Sequence, residues 1–426
     1  MENQATIPRD LTQELKKWIH RPECFAIRGP RQSGKTTLLK ILAKELEKIG
    51  RVIFLNFEDP DVLRSFEEDP LGYVKSFISG EERHFFLMDE YHYVREPGKK
   101  LKLLYDSFQQ VKFIVTGSSS LELSGAMGRY LVGRVFFFEL FPLSFHEFLL
   151  YKDPRLAEIY VQRNSEIRRF VEGGKASIPE KDVFIREIDP LFQEYLTFGG
   201  YPAVVTAGSL EEKRMVLKGI YDTYVSRDVI EFLRFGDAFR YRDAVRALAA
   251  STGNLLNCRQ LASDLGSYFR EIRRILSILS ETYIIELVRP YFKNPRTELK
   301  KVPKVYFVDT GLRNYVLGQL LPFEQRIDQG ALAENGVLIS IGRSFPEREV
   351  RYWRTIAKTE VDFVLLGPDP LPLEVKYGRV EPKVPPGLKS FIRAHSPERA
   401  MVATRELWSF QDFEGTEVLF VPACYL

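Results

Sequence analysis

The stretch Gly29-Pro30-Arg31-Gln32-Ser33-Gly34-Lys35-Thr36 limits what this chain can fold into more than any other. It has the spacing G-x-x-x-x-G-K-T. The short apolar run Cys24-Phe25-Ala26-Ile27 precedes it. Thr37-Leu38-Leu39-Lys40-Ile41-Leu42-Ala43 follows, with apolar positions at helical spacing. Strand, glycine loop and helix in that order predict a phosphate-binding loop within a parallel α/β sheet. Glycines let backbone N–H groups turn inward and approach an anion closely. The following helix adds the positive end of its dipole. Gly29 through Thr37 are therefore the expected nucleotide-binding residues. Lys35 is expected on the β- and γ-phosphates of ATP, and the Thr36 hydroxyl on Mg²⁺.

A second apolar run, His84-Phe85-Phe86-Leu87-Met88, ends in Asp89-Glu90. Asp89 is expected beside the Mg²⁺, and Glu90 is placed to act as general base on an attacking water. A third run, Lys112-Phe113-Ile114-Val115, ends in Thr116-Gly117-Ser118-Ser119-Ser120. Strand C-termini of a parallel sheet converge on one crevice. A hydroxyl there, Thr116 or Ser118, can sense the γ-phosphate or hold the water. Arg129 and Arg134 both follow a glycine. Arg134, at the edge of the apolar run Val135-Phe136-Phe137-Phe138, is the favoured arginine for a γ-phosphate, in cis or from a neighbouring subunit. Arg227-Asp228 reads as a structural ion pair.

The succession GPRQSGKT, FFLMDE, VTGSSS resembles an AAA-type P-loop ATPase with a catalytic glutamate. The elements Gly128-Arg129, Gly133-Arg134, Phe141-Pro142-Leu143-Ser144-Phe145, Gly199-Gly200-Tyr201-Pro202 and Tyr224-Val225-Ser226-Arg227-Asp228 narrow the resemblance. They point to a group of archaeal and bacterial AAA-domain ATPases with a C-terminal domain of unknown function related to restriction-type nucleases. The resemblance spans nearly the whole chain. It implies ATP hydrolysis with Mg²⁺, and a Gly-Arg element after the hydroxyl-tipped strand as the γ-phosphate arginine.

At 426 residues the chain is long enough for several domains. Its 45% hydrophobic and 28% charged residues are ordinary for a globular protein. No apolar run reaches the length of a membrane span, and Met1 to Ala5 show no basic-then-apolar leader pattern. Cys24, Cys258 and Cys424 are far apart and in no metal spacing, so free thiols and a cytoplasmic location are expected. The net charge is +3, but residues 258–304 hold ten basic against five acidic side chains, +5, which leaves −2 for the rest.

That basic segment reads as a winged helix. Cys258 to Gly266 is a short helix, and Tyr268 to Tyr283 a longer one with Ile272, Ile275, Leu276 and Leu279 on one face. The runs Ile284–Val288 and Val305–Val308 form the wing. Arg270, Arg273 and Arg274 lie off the apolar face and are placed to meet phosphates of duplex DNA. A packing or protein-contact role for the same module is the competing reading.

Beyond it, Leu332–Ile339 reads as a helix carrying Glu334. The strands Val350–Trp353, Glu360–Leu365 and Leu373–Lys376 follow, then a helix near Gly387–Ala394 and a strand at Ala400–Ala403. Alternation pairs Glu360 with Asp362, and Glu374 with Lys376. This resembles the PD-(D/E)xK nuclease pattern, with Glu334, Asp362, Glu374 and Lys376 at the matching positions and Asp362 and Glu374 as the metal ligands. Val361 stands before the aspartate where proline is usual. The alternative is such a fold with a structural ion pair in place of a metal.

The expected architecture is an AAA-type ATPase core (1–145), a helical lid (146–240), a winged helix (241–312) and a nuclease-like α/β domain (313–426). The expected function is an ATP-driven machine acting on nucleic acid, possible as a homo-oligomer. The alternative is an ATP-driven signalling switch whose C-terminal modules bind protein partners.

Overall fold

The structure is a computed structural model that describes residues 6–80, 82–117, 130–228, 238–292, 301–378 and 381–426. The chain divides into two compact units. The first holds residues 1–143 with 281–284, and the second holds 144–280 with 285–426.

In the first unit helix α1 (Leu11–Trp18) precedes β1 (Cys24–Arg28) and α2 (Lys35–Leu46). There follow β2 (Arg51–Asn56), α3 (Pro60–Glu68), α4 (Pro70–Phe77), β3 (His84–Asp89), α5 (Pro97–Ser107), β4 (Val111–Gly117) and β5 (Val135–Glu139). The five strands are all parallel, in the order β2-β3-β4-β1-β5. Continuous apolar runs build the middle of the sheet. Every residue of β3 and of β4 is buried, which suits strands covered on both faces. One face packs Ala26, Phe86, Met88, Phe113 and Val115 against α3, α4 and α5. The other packs Phe25, Ile27, Phe85 and Leu87 against Leu38, Leu39, Leu42 and Leu46 of α2. Because all strands run the same way, the ends of β1, β3 and β4 meet at one edge.

The second unit begins with α6 (Phe145–Lys152), which has a capping box from Ser144 and Glu147. Then come α7 (Pro154–Val171), α8 (Ile185–Phe198), the short α9 (Pro202–Val205), α10 (Leu210–Asp228) and α11 (Ala238–Ala250). Helices α12 (Cys258–Asp264) and α13 (Phe269–Glu281) lead into β6 (Ile285–Pro290) and β7 (Lys304–Phe307), which pair antiparallel. After α14 (Thr310–Leu317) and α15 (Gln329–Ser344) come β8 (Val350–Arg354), β9 (Glu360–Leu365), β10 (Leu371–Lys376), α16 (Pro386–His395), β11 (Arg399–Thr404), β12 (Ser409–Phe413) and β13 (Thr416–Pro422).

The β6–β7 hairpin, expected as a free wing, is part of a larger sheet. Arg289 and Pro290 of β6 pair with Arg351 and Tyr352 of β8, so one eight-stranded sheet runs β12-β13-β11-β10-β9-β8-β6-β7. The terminal hairpin β12–β13 was not expected, and it adds two strands beyond β11. All three cysteines are free. Among the described residues no helix is long and apolar enough to cross a membrane.

Candidate nucleotide site and C-terminal acidic cluster

The P-loop joins β1 to α2, and its backbone is bent to face inward. Gly34, the N-cap of α2, has φ +96°, and Gln32 takes φ +58°, a left-handed value rare for a residue with a side chain. At Gly29 a Cβ would stand 2.1 Å from the Leu140 carbonyl oxygen, so only glycine fits. Pro30 and Ser33 are buried, Arg31 and Thr36 half-buried, and Gln32 and Thr37 exposed. Lys35 is 5% exposed, and its Nζ donates to the carbonyls of Gly29 (3.1 Å) and Pro30 (2.9 Å). Burial pushes its amine down to about 8, against the pull of Glu90 and Asp89.

Asp89 and Glu90 sit at the end of β3, one strand removed from β1. Thr116, at the end of the intervening β4, bridges them. Its hydroxyl accepts from the Glu90 backbone N–H (3.1 Å) and donates to Asp89 Oδ1 (2.5 Å). Thr116 or Ser118 was expected to sense the γ-phosphate or hold the water. Thr116 is fully buried, with its hydroxyl bonded to the two acids. Glu90 leaves the strand with φ +51°, and its Oε2 lies 3.0 Å from His92 Nδ1. Burial works to raise the Glu90 carboxyl, but His92, Lys35 and Arg31 together hold it below the ordinary value, so it is ionised at neutral pH.

Ser118 and Arg129 lie outside the described residues, as do the side chains of Arg227 and Asp228. Arg134 is described, and it does not join this chain's own P-loop. It precedes β5, whose Val135 pairs with Cys24 at the start of β1, whereas the P-loop leaves the end of β1 at Arg28. A five-residue strand separates the two, about 16 Å at ~3.3 Å per residue. Arg134 Nε lies 3.3 Å from Asp106 Oδ1.

Some supporting residues were not legible in the sequence. Arg9 is 7% exposed, and its guanidinium donates to the carbonyls of Ser33 (2.7 Å) and Phe141 (2.6 Å), tying the segment before α1 to the P-loop. Arg28 pairs with Glu139 (3.0 Å), which accepts from the Tyr283 hydroxyl (3.1 Å). These contacts span up to 144 residues, so no local pattern signals them. Thr116 was legible as a hydroxyl at a strand end, but its bonds to the acids of the neighbouring strand were not.

The loop fits a polyphosphate. It offers left-handed backbone, a buried ammonium and the Ser33 hydroxyl, buried without a partner. Thr36 at the start of α2 and Asp89 at the end of β3 carry oxygens of the kind that ligate a divalent ion.

In the second unit β9, β10 and α15 bring together all the expected acids. The β9–β10 ladder pairs Leu373 with Phe363, and one step on stand Glu374 and Asp362. Asp362 Oδ2 accepts from the Val375 N–H (2.8 Å), and Lys376 Nζ lies 2.8 Å from Glu374 Oε1. Glu334 on α15 faces β7, where it accepts from the Tyr306 hydroxyl (2.5 Å) and from Lys304 Nζ (3.1 Å). Lys304 was counted in the basic excess of residues 258–304, but it is 1% exposed, and its Nζ also lies 2.5 Å from Glu360 Oε1 and 3.9 Å from Asp362 Oδ1. Among the described residues no group of three or more His, Cys, Asp or Glu has the geometry to hold a metal ion.

Residues 21–149 match the family model described as an AAA domain. Residues 189–321 and 329–423 match two domains of unknown function, DUF8612 and DUF4143. An uncharacterized protein of Haemophilus influenzae is 24% identical, covering 98% of this chain and 98% of its own length. One from Mycobacterium tuberculosis is 27% identical over 86% of this chain and 73% of its own length. The solved structure titled Thermotoga maritima RuvB Holliday junction branch migration motor has a TM-score of 0.24 at 16% identity, covering 69% of this chain and 95% of that one. The AAA-domain match, falling on the P-loop and its parallel sheet, supports an AAA-type P-loop ATPase.

Proposed function

We propose that the first unit hydrolyses ATP with Mg²⁺, and that the chain applies this to duplex DNA gripped through α13. The observation that carries the first half is the Thr116 bridge, which presents Asp89 and Glu90 within electrostatic reach of Lys35. Lys35 neutralises phosphate charge, and inward backbone N–H groups bind the phosphate oxygens. Thr36 and Asp89 would hold Mg²⁺, whose charge, when bound, offsets that of the β- and γ-phosphates. Glu90 accepts the proton of the attacking water, and its ionised state at neutral pH suits that task. His92 Nδ1 stands 3.0 Å from Glu90 Oε2, beside the carboxylate. The test is Glu90→Gln, which keeps the shape and loses the basic oxygen. It should bind ATP as the parent does and turn over ~10²–10⁴-fold more slowly. Turnover near the parent rate would remove Glu90 from the role.

Support for DNA comes from α12, α13 and the β6–β7 hairpin, the order of a winged helix. Helix α13 buries Ile272, Ile275, Leu276, Ile278 and Leu279 and exposes Arg270, Arg273 and Arg274, with Tyr268 79% and Phe269 47% exposed at its start. Cations on one face beside exposed rings suit a nucleic acid better than a solvated surface alone. The full chain should bind duplex DNA with affinity that falls as salt rises, and changing the three arginines together to Gln should flatten that slope. Absence of binding at low salt, with and without ATP, would leave a protein partner as the reading. The order of α15, β8–β10, α16 and β11 further supports a nuclease-like fold for the C-terminal segment.

A further inference from the structure

The nuclease-like pattern implies a divalent ion at Asp362 and Glu374, and the residues around those acids do not fit one. Four carboxylates, Glu334, Glu360, Asp362 and Glu374, converge on three cations. Lys304 takes Glu334 and Glu360 and faces Asp362. Arg354 Nη1 donates to Glu360 Oε2 at 2.8 Å, and Lys376 closes on Glu374. The second oxygen of Asp362 is occupied by the Val375 N–H. A metal ligated at the ~2.0–2.6 Å typical of Mg²⁺ or Ca²⁺ needs oxygens converging on one empty point; here the Lys304 ammonium stands among Glu334, Glu360 and Asp362, and Glu374 Oε2 is buried without a hydrogen-bond partner.

We infer that Lys304 is the resident cation of this cluster, so that the site takes no divalent metal and acts as a charge clasp. The ammonium has nowhere to retreat, since the side chain is 1% exposed and its Nζ stands 5.7 Å from the centre of the Tyr352 ring. Like charge disfavours a divalent ion directly beside it. Gly387 packs against the Glu360 carbonyl so closely that a Cβ would stand 2.0 Å from its oxygen and 3.4 Å from Glu374 Oε2. The partners come from separate elements: Lys304 from β7, Glu334 from α15, Glu360 and Asp362 from β9. The clasp therefore ties the hairpin that follows α13 to the C-terminal strands. A lysine's three donors on a fixed stem suit that role, because it needs no ion from solution.

The experiment is Mn²⁺ binding to the full chain without nucleotide, read by the electron-paramagnetic signal of free ion, beside Asp362→Asn. The expected result is no Mn²⁺ uptake that depends on Asp362, and no Mn²⁺-dependent nicking of plasmid. Uptake or nicking that Asp362→Asn abolishes would overturn the inference. A second variant, Lys304→Met, removes the cation and keeps the stem. If folded by circular dichroism it should gain Mn²⁺ binding, lost again in Lys304→Met/Asp362→Asn. A folded Lys304→Met that takes no Mn²⁺ would mean the lysine does not hold a cation's place. Should that variant not fold, the parent protein's own Mn²⁺ uptake decides.

Discussion

Thr116 commits its hydroxyl twice, once as acceptor and once as donor, and so sets where two acids point. Thr116→Val keeps the volume and loses both bonds. We expect turnover to fall by ~10–100-fold, the loss of one or two buried hydrogen bonds to a charged group, with ATP affinity little changed. Thr116→Ser should restore most of the rate, and steady-state kinetics with separate ATP binding would show it. Lys35 offers a second test through pH. In the free protein its amine gives up its proton as pH rises through about 8. Binding a phosphate above that pH must take the proton back, so ATP affinity should weaken by about tenfold per pH unit there and stay level below. Calorimetry in buffers of different ionisation heat should show proton uptake on binding only in that range. On folding the sign is opposite. Between about 8 and the ordinary 10.5 the unfolded chain holds a proton that the folded chain has released, so this residue makes stability rise with pH in that window.

At the scale of elements, the Gly199-Gly200 pair has a packing cause. Asp309 caps α14 by accepting from Leu312 N–H (2.8 Å), and its other oxygen accepts from Gly200 N–H (2.7 Å). Gly199 turns with φ +79°, and a Cβ there would meet Asp309 Oδ1 at 2.2 Å. Gly311, in the first turn of α14, lies against the end of α8, where a Cβ would stand 1.9 Å from the Phe198 carbonyl oxygen. Asn314 then donates to the carbonyls of Leu196 and Thr197 (both 2.9 Å), covering the end of α8. Two helices more than a hundred residues apart are thus capped by each other. Gly311→Ala should cost upwards of about 2 kcal/mol, since backbone must move to admit the methyl. Thermal denaturation of the variant should show the lower midpoint, and an unchanged midpoint would place the methyl in open space.

For the whole molecule, the position of Arg134 has a consequence for assembly. It lies at the end of the sheet away from its own P-loop, so contact with a γ-phosphate requires a second copy of the chain. Mixing two inactive variants tests this. Lys35→Ala keeps Arg134, and Arg134→Ala keeps a working P-loop. If Arg134 acts across copies, the mixture should recover part of the activity that neither variant has, and recovery should rise with protein concentration. Activity of Arg134→Ala equal to the parent, at all concentrations, would leave the arginine a surface partner of Asp106.

The sequence by itself determined the local parts: the P-loop, the strand ending in Asp89-Glu90, the helix with three arginines off its apolar face, and the strands carrying Asp362, Glu374 and Lys376. These are legible because each rests on neighbours in the chain, through glycine dihedrals, strand alternation or helical spacing. Tertiary structure alone decided which charges meet. Lys304 belongs by sequence to a basic, proline-bearing loop, and nothing within it tells a solvated lysine from one enclosed by acids of α15 and β9. Arg9 on the P-loop, Thr116 between two acids and β6 joined to β8 are of the same kind. Each is a pairing across the fold, where burial sets the strength of a charge or a hydrogen bond, and burial is a property of the packed chain rather than of any segment.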